Sequence, residues 1–162
     1  LFLKYLEREL ESLSQAGVCF KVIGDVSGFG RELQERITSA QKKTERNDKI
    51  TLAVAANYGG RWDIVQSVRD WMDSNPAGNP CDFTEGSLES GLSTVGLPEL
   101  DLLIRTGGER RLSNFLLWQV AYAEMYFTDV LWPEFDAAEF EEALAWFRGR
   151  HRRFGRVSAP LS

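Results

Sequence analysis

The sequence predicts an α/β fold: a mostly parallel central sheet flanked by helices, over a single domain spanning residues 1–162. Two observations carry this. Short apolar or β-branched runs alternate with segments of helical period about 10 to 15 residues long, the pattern of parallel strands joined by crossover helices. Three of the runs end in Gly-containing polar turns, and in parallel sheets ligands gather at the carboxyl ends of strands. All three turns are expected on one edge of the sheet.

In order along the chain, Leu3, Leu6, Leu10 and Leu13 recur at helical spacing and define an amphipathic helix ending near Gly17. Val18 to Ile23 is a strand closed by Gly24-Asp25. Arg31 to Arg46 reads as a helix with Leu33, Ile37 and Ala40 inward. Ile50 to Ala56 is continuously apolar, as for a strand buried on both faces, and Asn57-Tyr58-Gly59-Gly60 breaks it. Arg61 to Met72 is a third helix, and Ser74 to Pro80, rich in Pro, Asn and Gly, is a loop. A weak helix follows over Phe83 to Leu92, then a buried strand over Leu100 to Ile104 that ends in Thr106-Gly107-Gly108. Asn114 to Tyr122 is expected to be helical, Glu124 to Thr128 a strand, and Ala137 to His151 a final amphipathic helix.

The 162 residues carry 19 Lys and Arg against 24 Asp and Glu, a net charge of −5, which argues against a general nucleic-acid binder. No apolar run approaches the roughly 18 residues a membrane helix needs. Two distant cysteines, Cys19 and Cys81, and one histidine, His151, make a zinc site or a disulfide framework an unlikely reading and fit a reducing compartment. The chain opens inside a helical pattern without an initiator Met, and Lys4, Glu7, Arg8 and Glu9 interrupt any signal-peptide core. It is expected to be part of a longer protein. Neither Gly-x-Gly-x-x-Gly nor a P-loop sequence occurs, which weighs against a generic nucleotide-binding domain.

The stretch Asp101 to Phe115 is the most informative. A buried strand delivers Arg105, two glycines let the backbone approach a ligand with their N–H groups exposed, and Arg111 and Ser113 follow. Ser113 is placed to cap the next helix, whose positive end favours anions. Two guanidiniums, a hydroxyl and free amides suit a diphosphate, since guanidinium forks match phosphate oxygens bidentately. The competing reading is a surface turn with solvated Arg and Glu side chains. Glu124 lies in an aromatic and aliphatic run, where a carboxylate needs a cation, a metal or hydrogen bonds. Mg²⁺ with phosphate oxygens is one partner, and a Glu–Arg pair with Arg105 or Arg111 is the other.

Asn57 to Arg61 is either a second anion loop or a tight turn. Asp25 is a metal ligand or, more simply, a turn cap. Tyr126, Phe127, Trp132 and Phe135 read as core or oligomer interface, and His151, within a basic run, as a solvated helix-end residue.

Asn57-Tyr58-Gly59-Gly60-Arg61-Trp62-Asp63-Ile64, the stretch Asp101 to Phe115, Leu116 to Gln119, Ala121 to Glu124, Tyr126 to Asp129, Leu131 to Phe135 and Arg152-Arg153-Phe154-Gly155 together resemble the cis-prenyltransferases, most of all the bacterial undecaprenyl diphosphate synthase branch. The motifs occur in order over nearly the whole chain, which corresponds to about the C-terminal two-thirds of such an enzyme. The resemblance implies a six-stranded, mostly parallel sheet, a homodimer, and Mg²⁺-dependent addition of isopentenyl diphosphate units in cis to an allylic, farnesyl-type diphosphate, giving a long polyprenyl diphosphate. It implies that Arg105, Arg111 and Ser113 bind the isopentenyl diphosphate, that Glu109 supports them, that Glu124 helps to place Mg²⁺, and that Arg153 and Gly155 belong to an Arg-x-Gly motif reaching a partner's active site. Arg110 stands where some relatives carry His, and no metal role is assigned to it.

The family's Asp-Gly-Asn-Gly-Arg-Trp-Ala motif, with its catalytic Asp, is absent from this sequence, so no catalytic residue is assigned and the chain alone is expected to be inactive. A cytoplasmic enzyme is implied, drawn transiently to the membrane surface by its product. The alternative is a non-catalytic partner subunit of a heteromeric cis-prenyltransferase, although such relatives usually lose the Arg-Thr-Gly-Gly-Glu-x-Arg-x-Ser set that is complete here.

Overall fold

A computed structural model describes the backbone of residues 2–150, with side chains from residue 9 onward. The chain divides into two compact units, Leu1–Val95 and Gly96–Ser162.

In the first unit, helix α1 (Phe2–Gln15) is followed by strand β1 (Val18–Ile23), helix α2 (Arg31–Thr44), strand β2 (Ile50–Ala55), helix α3 (Gly60–Ser74) and helix α4 (Glu85–Gly91). β1 and β2 pair in parallel, with Val18 opposite Ile50 and Ile23 opposite Ala55. Phe20 of β1 and Ile37 and Ala40 of α2 form the buried core, joined by Leu10, Val22, Val26, Phe29, Leu33 and Val54. The free edge of β1 is closed by side chains of α2. The amide of Phe20 donates to Thr44 Oγ1 at 3.0 Å and that of Val22 to Gln41 Oε1 at 2.9 Å. Burying an amide without an acceptor costs about 1–3 kcal/mol, so these polar residues on the inner face of α2 are part of the core. Thr44 is fully buried for this reason.

β2 departs from the expectation of a strand buried on both faces. Ile50 is 62 % and Leu52 41 % exposed. An apolar run marks a strand, but its burial depends on what covers it, and among the described residues β2 is an edge strand paired only with β1.

α3 and α4 pack closely. Ser67 Oγ donates to the Leu88 carbonyl at 2.6 Å, and a Cβ on Gly91 would fall 2.4 Å from that hydroxyl oxygen, so glycine is required there. Thr84 and Ser87 form a reciprocal capping box that starts α4.

In the second unit, strand β3 (Leu102–Arg105) pairs in parallel with strand β4 (Glu124–Phe127), and helix α5 (Ala137–Arg148) follows. Asp136 caps α5 by accepting from the amides of Ala138 and Glu139. Tyr126 meets Trp146 of α5 edge-to-face at 5.3 Å. Trp132 and Phe135 stack at 6.2 Å, with Trp132 left 75 % exposed.

The expected helix over Asn114–Tyr122 does not form. Ser113, Asn114 and Leu116 have φ of 48°, 64° and 46°, and only a short 3-10 turn, Gln119–Tyr122, follows. Left-handed backbone at three positions is incompatible with a right-handed helix. His151, Arg153 and Gly155 lie outside the described residues.

Candidate functional site

β3 runs outward through buried Leu103 and ends at Arg105, which stands opposite Phe127 of β4. The chain then turns through Gly107 (φ 83°) and Gly108 (φ 76°), conformations that side chains disfavour. Their N–H groups are not free, contrary to the sequence-based expectation. The Gly107 amide donates to the Val130 carbonyl at 2.8 Å and the Gly108 amide to that of Thr128 at 3.0 Å. The Thr128 amide in turn donates to the Arg105 carbonyl at 3.0 Å. The glycines thus bond the turn after β3 to the chain that follows β4, and those bonds fix the base of the turn.

The left-handed residues fold the next segment back over the end of β3. Arg105 Nη1 donates to Ser113 Oγ at 3.0 Å and also to the carbonyl of Arg111. Ser113 therefore does not cap a helix, because no helix begins there; its hydroxyl orients Arg105. Arg111 Nη1 sits 2.8 Å from Glu109 Oε2, with both side chains largely in solvent. Glu109 is thus the ion-pair partner of Arg111 in this structure.

Beside these groups lies a half-open cavity of about 230 Å³. Its lining combines Arg105, Arg111 and Ser113 with the apolar residues Leu103, Ile104, Leu112 and Phe115. Two guanidiniums and a hydroxyl beside aliphatic and aromatic surface can hold a multiply charged anion carrying a short hydrocarbon.

Glu124, at the start of β4, is half-buried and pairs through Oε2 with Arg150 Nε at 3.1 Å. Its partner is neither Arg105 nor Arg111. Arg150 also lies 5.0 Å over the Trp146 ring. Among the described residues no three His, Cys, Asp or Glu side chains gather as a metal cluster. A single carboxylate nevertheless fits Mg²⁺, which takes one or two carboxylates together with phosphate oxygens and water.

In the first unit, two of the three Gly-containing turns meet side by side at the carboxyl ends of β1 and β2. Asn57, at φ 48°, accepts at its carbonyl from the Asp25 amide (3.3 Å) and donates through Nδ2 to the Asp25 carbonyl (3.0 Å). Asp25 caps its own turn, accepting from the Ser27 amide and hydroxyl. These hydrogen bonds hold its carboxyl below the usual aspartate range. Sequence reading assigned no role to Asp63, which is 2 % exposed and accepts from the Tyr58 hydroxyl and the Ser93 amide, each at 2.9 Å. Its position in the first turn of α3 was legible, but its burial was not.

Fold and site together define an α/β protein with two parallel strand pairs and two arginines beside the carboxyl end of β3. The chain belongs to the family described as putative undecaprenyl diphosphate synthase, whose sequence model matches residues 1–155. It is 48 % identical over 161 residues to an isoprenyl transferase of Ralstonia nicotianae, covering 99 % of this chain and 62 % of that protein. It is 52 % identical over 157 residues to a (2E,6E)-farnesyl-diphosphate-specific ditrans,polycis-undecaprenyl-diphosphate synthase of Yersinia pseudotuberculosis, covering 96 % of this chain and 62 % of that enzyme. The chain therefore spans just over three fifths of such relatives. Among solved structures, lavandulyl diphosphate synthase from Lavandula x intermedia, in complex with dimethylallyl diphosphate, superposes with a TM-score of 0.87 at 38 % identity, covering 94 % of this chain and 67 % of that one. A probable undecaprenyl diphosphate synthase of Campylobacter jejuni superposes with a TM-score of 0.82 at 34 % identity, over 96 % and 71 % of the two chains.

Proposed function

We propose that this chain supplies the isopentenyl diphosphate half-site of a cis-prenyltransferase that extends a farnesyl-type allylic diphosphate into a long polyprenyl diphosphate. The observation that carries this is one cavity lined by Arg105, Arg111 and Ser113 together with apolar side chains, with Ser113 bonded to the Arg105 guanidinium. Such a cavity matches a diphosphate joined to a five-carbon tail.

In this reading Arg105 binds phosphate oxygens with the donors that Ser113 and the Arg111 carbonyl leave unused, since a guanidinium has five. Arg111 exchanges its contact with Glu109 for the diphosphate. Leu103, Ile104, Leu112 and Phe115 exclude water from the tail. Fixing the incoming double bond in this way removes translational and rotational freedom from the step that joins it to the allylic carbon. Glu124 would hold Mg²⁺ with diphosphate oxygens; when bound, the ion neutralises charge on a leaving diphosphate. A homodimer, the contribution of Arg153 and Gly155 to a partner's site, and a cytoplasmic location with transient contact to the membrane surface through the product belong to the same proposal. No helix among the described residues is long and apolar enough to cross a membrane.

The test is titration calorimetry of this chain with isopentenyl diphosphate. Hydrogen bonds to charged groups contribute about 1.5–3 kcal/mol each, so Arg105→Ala should weaken binding by roughly 10- to 100-fold. Equal affinity in wild type and Arg105→Ala, or binding of neither isopentenyl diphosphate nor pyrophosphate, would overturn the proposal.

A further inference from the structure

The carboxylate of Glu124 is held by the guanidinium of Arg150, 26 residues away, just past the end of α5. Three features distinguish this pair from an incidental surface ion pair. Glu124 is largely covered, its side chain only 21 % exposed, whereas Arg150 is 51 % exposed and so can leave at little solvation cost. The Arg150 guanidinium also lies 5.0 Å over the face of Trp146, and Trp146 packs on Tyr126, two residues along the same strand as Glu124. One cation thus bridges the first residue of β4 and the last turn of α5. The amide of Arg150 donates to the Phe147 carbonyl, so the backbone stays tied to α5 while the side chain can swing.

We infer that Arg150 is the resident cation of Glu124, displaced when a divalent ion takes that carboxylate, and that it sets how tightly the ion binds. The inference rests on the metal-placing role proposed for Glu124. Nε engages Glu124 Oε2 at 3.1 Å, and a divalent ion on either oxygen of that carboxylate would set a second positive charge beside the guanidinium, so the two cations compete. Displacement removes the guanidinium from Trp146 as well, because the two contacts share one rigid planar group. Arg150 is a positioning residue in this scheme: it touches neither substrate nor metal and acts through Glu124.

The test uses Mn²⁺ with inorganic pyrophosphate, read by electron paramagnetic resonance, on wild type, Arg150→Ala and Arg150→Lys. A partly exposed pair of this kind is modest, so Arg150→Ala should bind Mn²⁺ roughly two- to fivefold more tightly. Arg150→Lys should fall between the two, since an ammonium restores the charge without the stacked plane. Tryptophan emission gives a second readout: Mg²⁺ with pyrophosphate should shift it in the wild type, and the shift should shrink in Arg150→Ala. Unchanged or weaker Mn²⁺ binding in Arg150→Ala overturns the inference, as does an emission response that persists in full. Isopentenyl diphosphate binding without metal is measured on the same samples. If it is intact while Arg150→Ala leaves Mn²⁺ affinity unchanged, this inference alone falls. If wild type binds no Mn²⁺, both this inference and the metal role of Glu124 fall.

Discussion

Ser113, held at φ 48°, accepts a hydrogen bond from Arg105 across eight residues of chain at 3.0 Å. The left-handed backbone at Ser113 and the orientation of the guanidinium are one arrangement. Were Ser113 helical, its hydroxyl would project elsewhere and Arg105 would lose the group that aims it into the cavity.

A pair of substitutions separates these contributions. Ser113→Ala and Ser113→Gly both remove the hydroxyl, so both should weaken pyrophosphate binding, by about five- to tenfold for a hydrogen bond of roughly 1 kcal/mol. They should differ in stability. Alanine at positive φ carries a steric cost of roughly 1–2 kcal/mol that glycine escapes, so Ser113→Gly should melt at the higher temperature. Calorimetry and thermal unfolding check the two halves.

Asp63 is a buried carboxylate with two donors, the Tyr58 hydroxyl and the Ser93 amide. Tyr58→Phe removes the hydroxyl donor and leaves the Ser93 amide on this buried carboxylate. The expected loss is about 1–3 kcal/mol in denaturant unfolding. Asp63→Asn in the same background should recover part of that loss, because a neutral amide is less costly to bury than a carboxylate that has lost one of its two donors. No recovery would mean that the Tyr58 ring packing, rather than the hydroxyl, carries the effect.

The carboxyl of Asp25 is lowered chiefly by the Ser27 hydroxyl and secondarily by the Ser27 amide. A group whose folded pKa is depressed stabilises the fold above its unfolded pKa and loses that contribution as pH falls through the folded value. Ser27→Ala should therefore move the Asp25 titration up toward the ordinary aspartate range, followed by NMR of its carboxyl carbon. The acid limb of the unfolding curve should begin at a slightly higher pH. A titration that does not move would show that the amide alone sets it.

How far the sequence announced this arrangement depends on whether the cause was local. Strand β1 was legible over its full extent, Val18–Ile23, because a β-branched run closed by glycine is a local signal. Arg105, Arg111 and Ser113 were legible as a cluster because their spacing follows a buried strand. The path that joins them was not. Phe115 to Ala123 has the apolar content of a helix, yet Ser113, Asn114 and Leu116 are left-handed because the segment must fold back onto Arg105. The glycine N–H groups were expected to face a ligand; sequence reveals their freedom of φ but not that Thr128 and Val130, at least 20 positions on, supply acceptors. The exposure of Ile50 and Leu52 and the pairing of Glu124 with Arg150 were likewise decided by distant partners.

The two glycines after β3 give the sharpest test of what that turn is for. Both have positive φ, so alanine at either position carries the left-handed cost of roughly 1–2 kcal/mol. Their surroundings differ: a Cβ on Gly107 meets nothing within 4 Å, whereas one on Gly108 falls 3.2 Å from Asp129 Oδ1. Gly108→Ala must therefore also push aside the Asp129 side chain, and should destabilise more than Gly107→Ala. Because both amides are bonded to the chain following β4, neither variant removes a donor to a ligand. If the turn serves to position Arg105 through that pairing, pyrophosphate affinity should fall in step with stability across the two variants, as read by calorimetry and thermal unfolding of the same samples. A large loss of affinity in Gly107→Ala with little loss of stability would instead mean that the bare Gly107 backbone meets the anion itself.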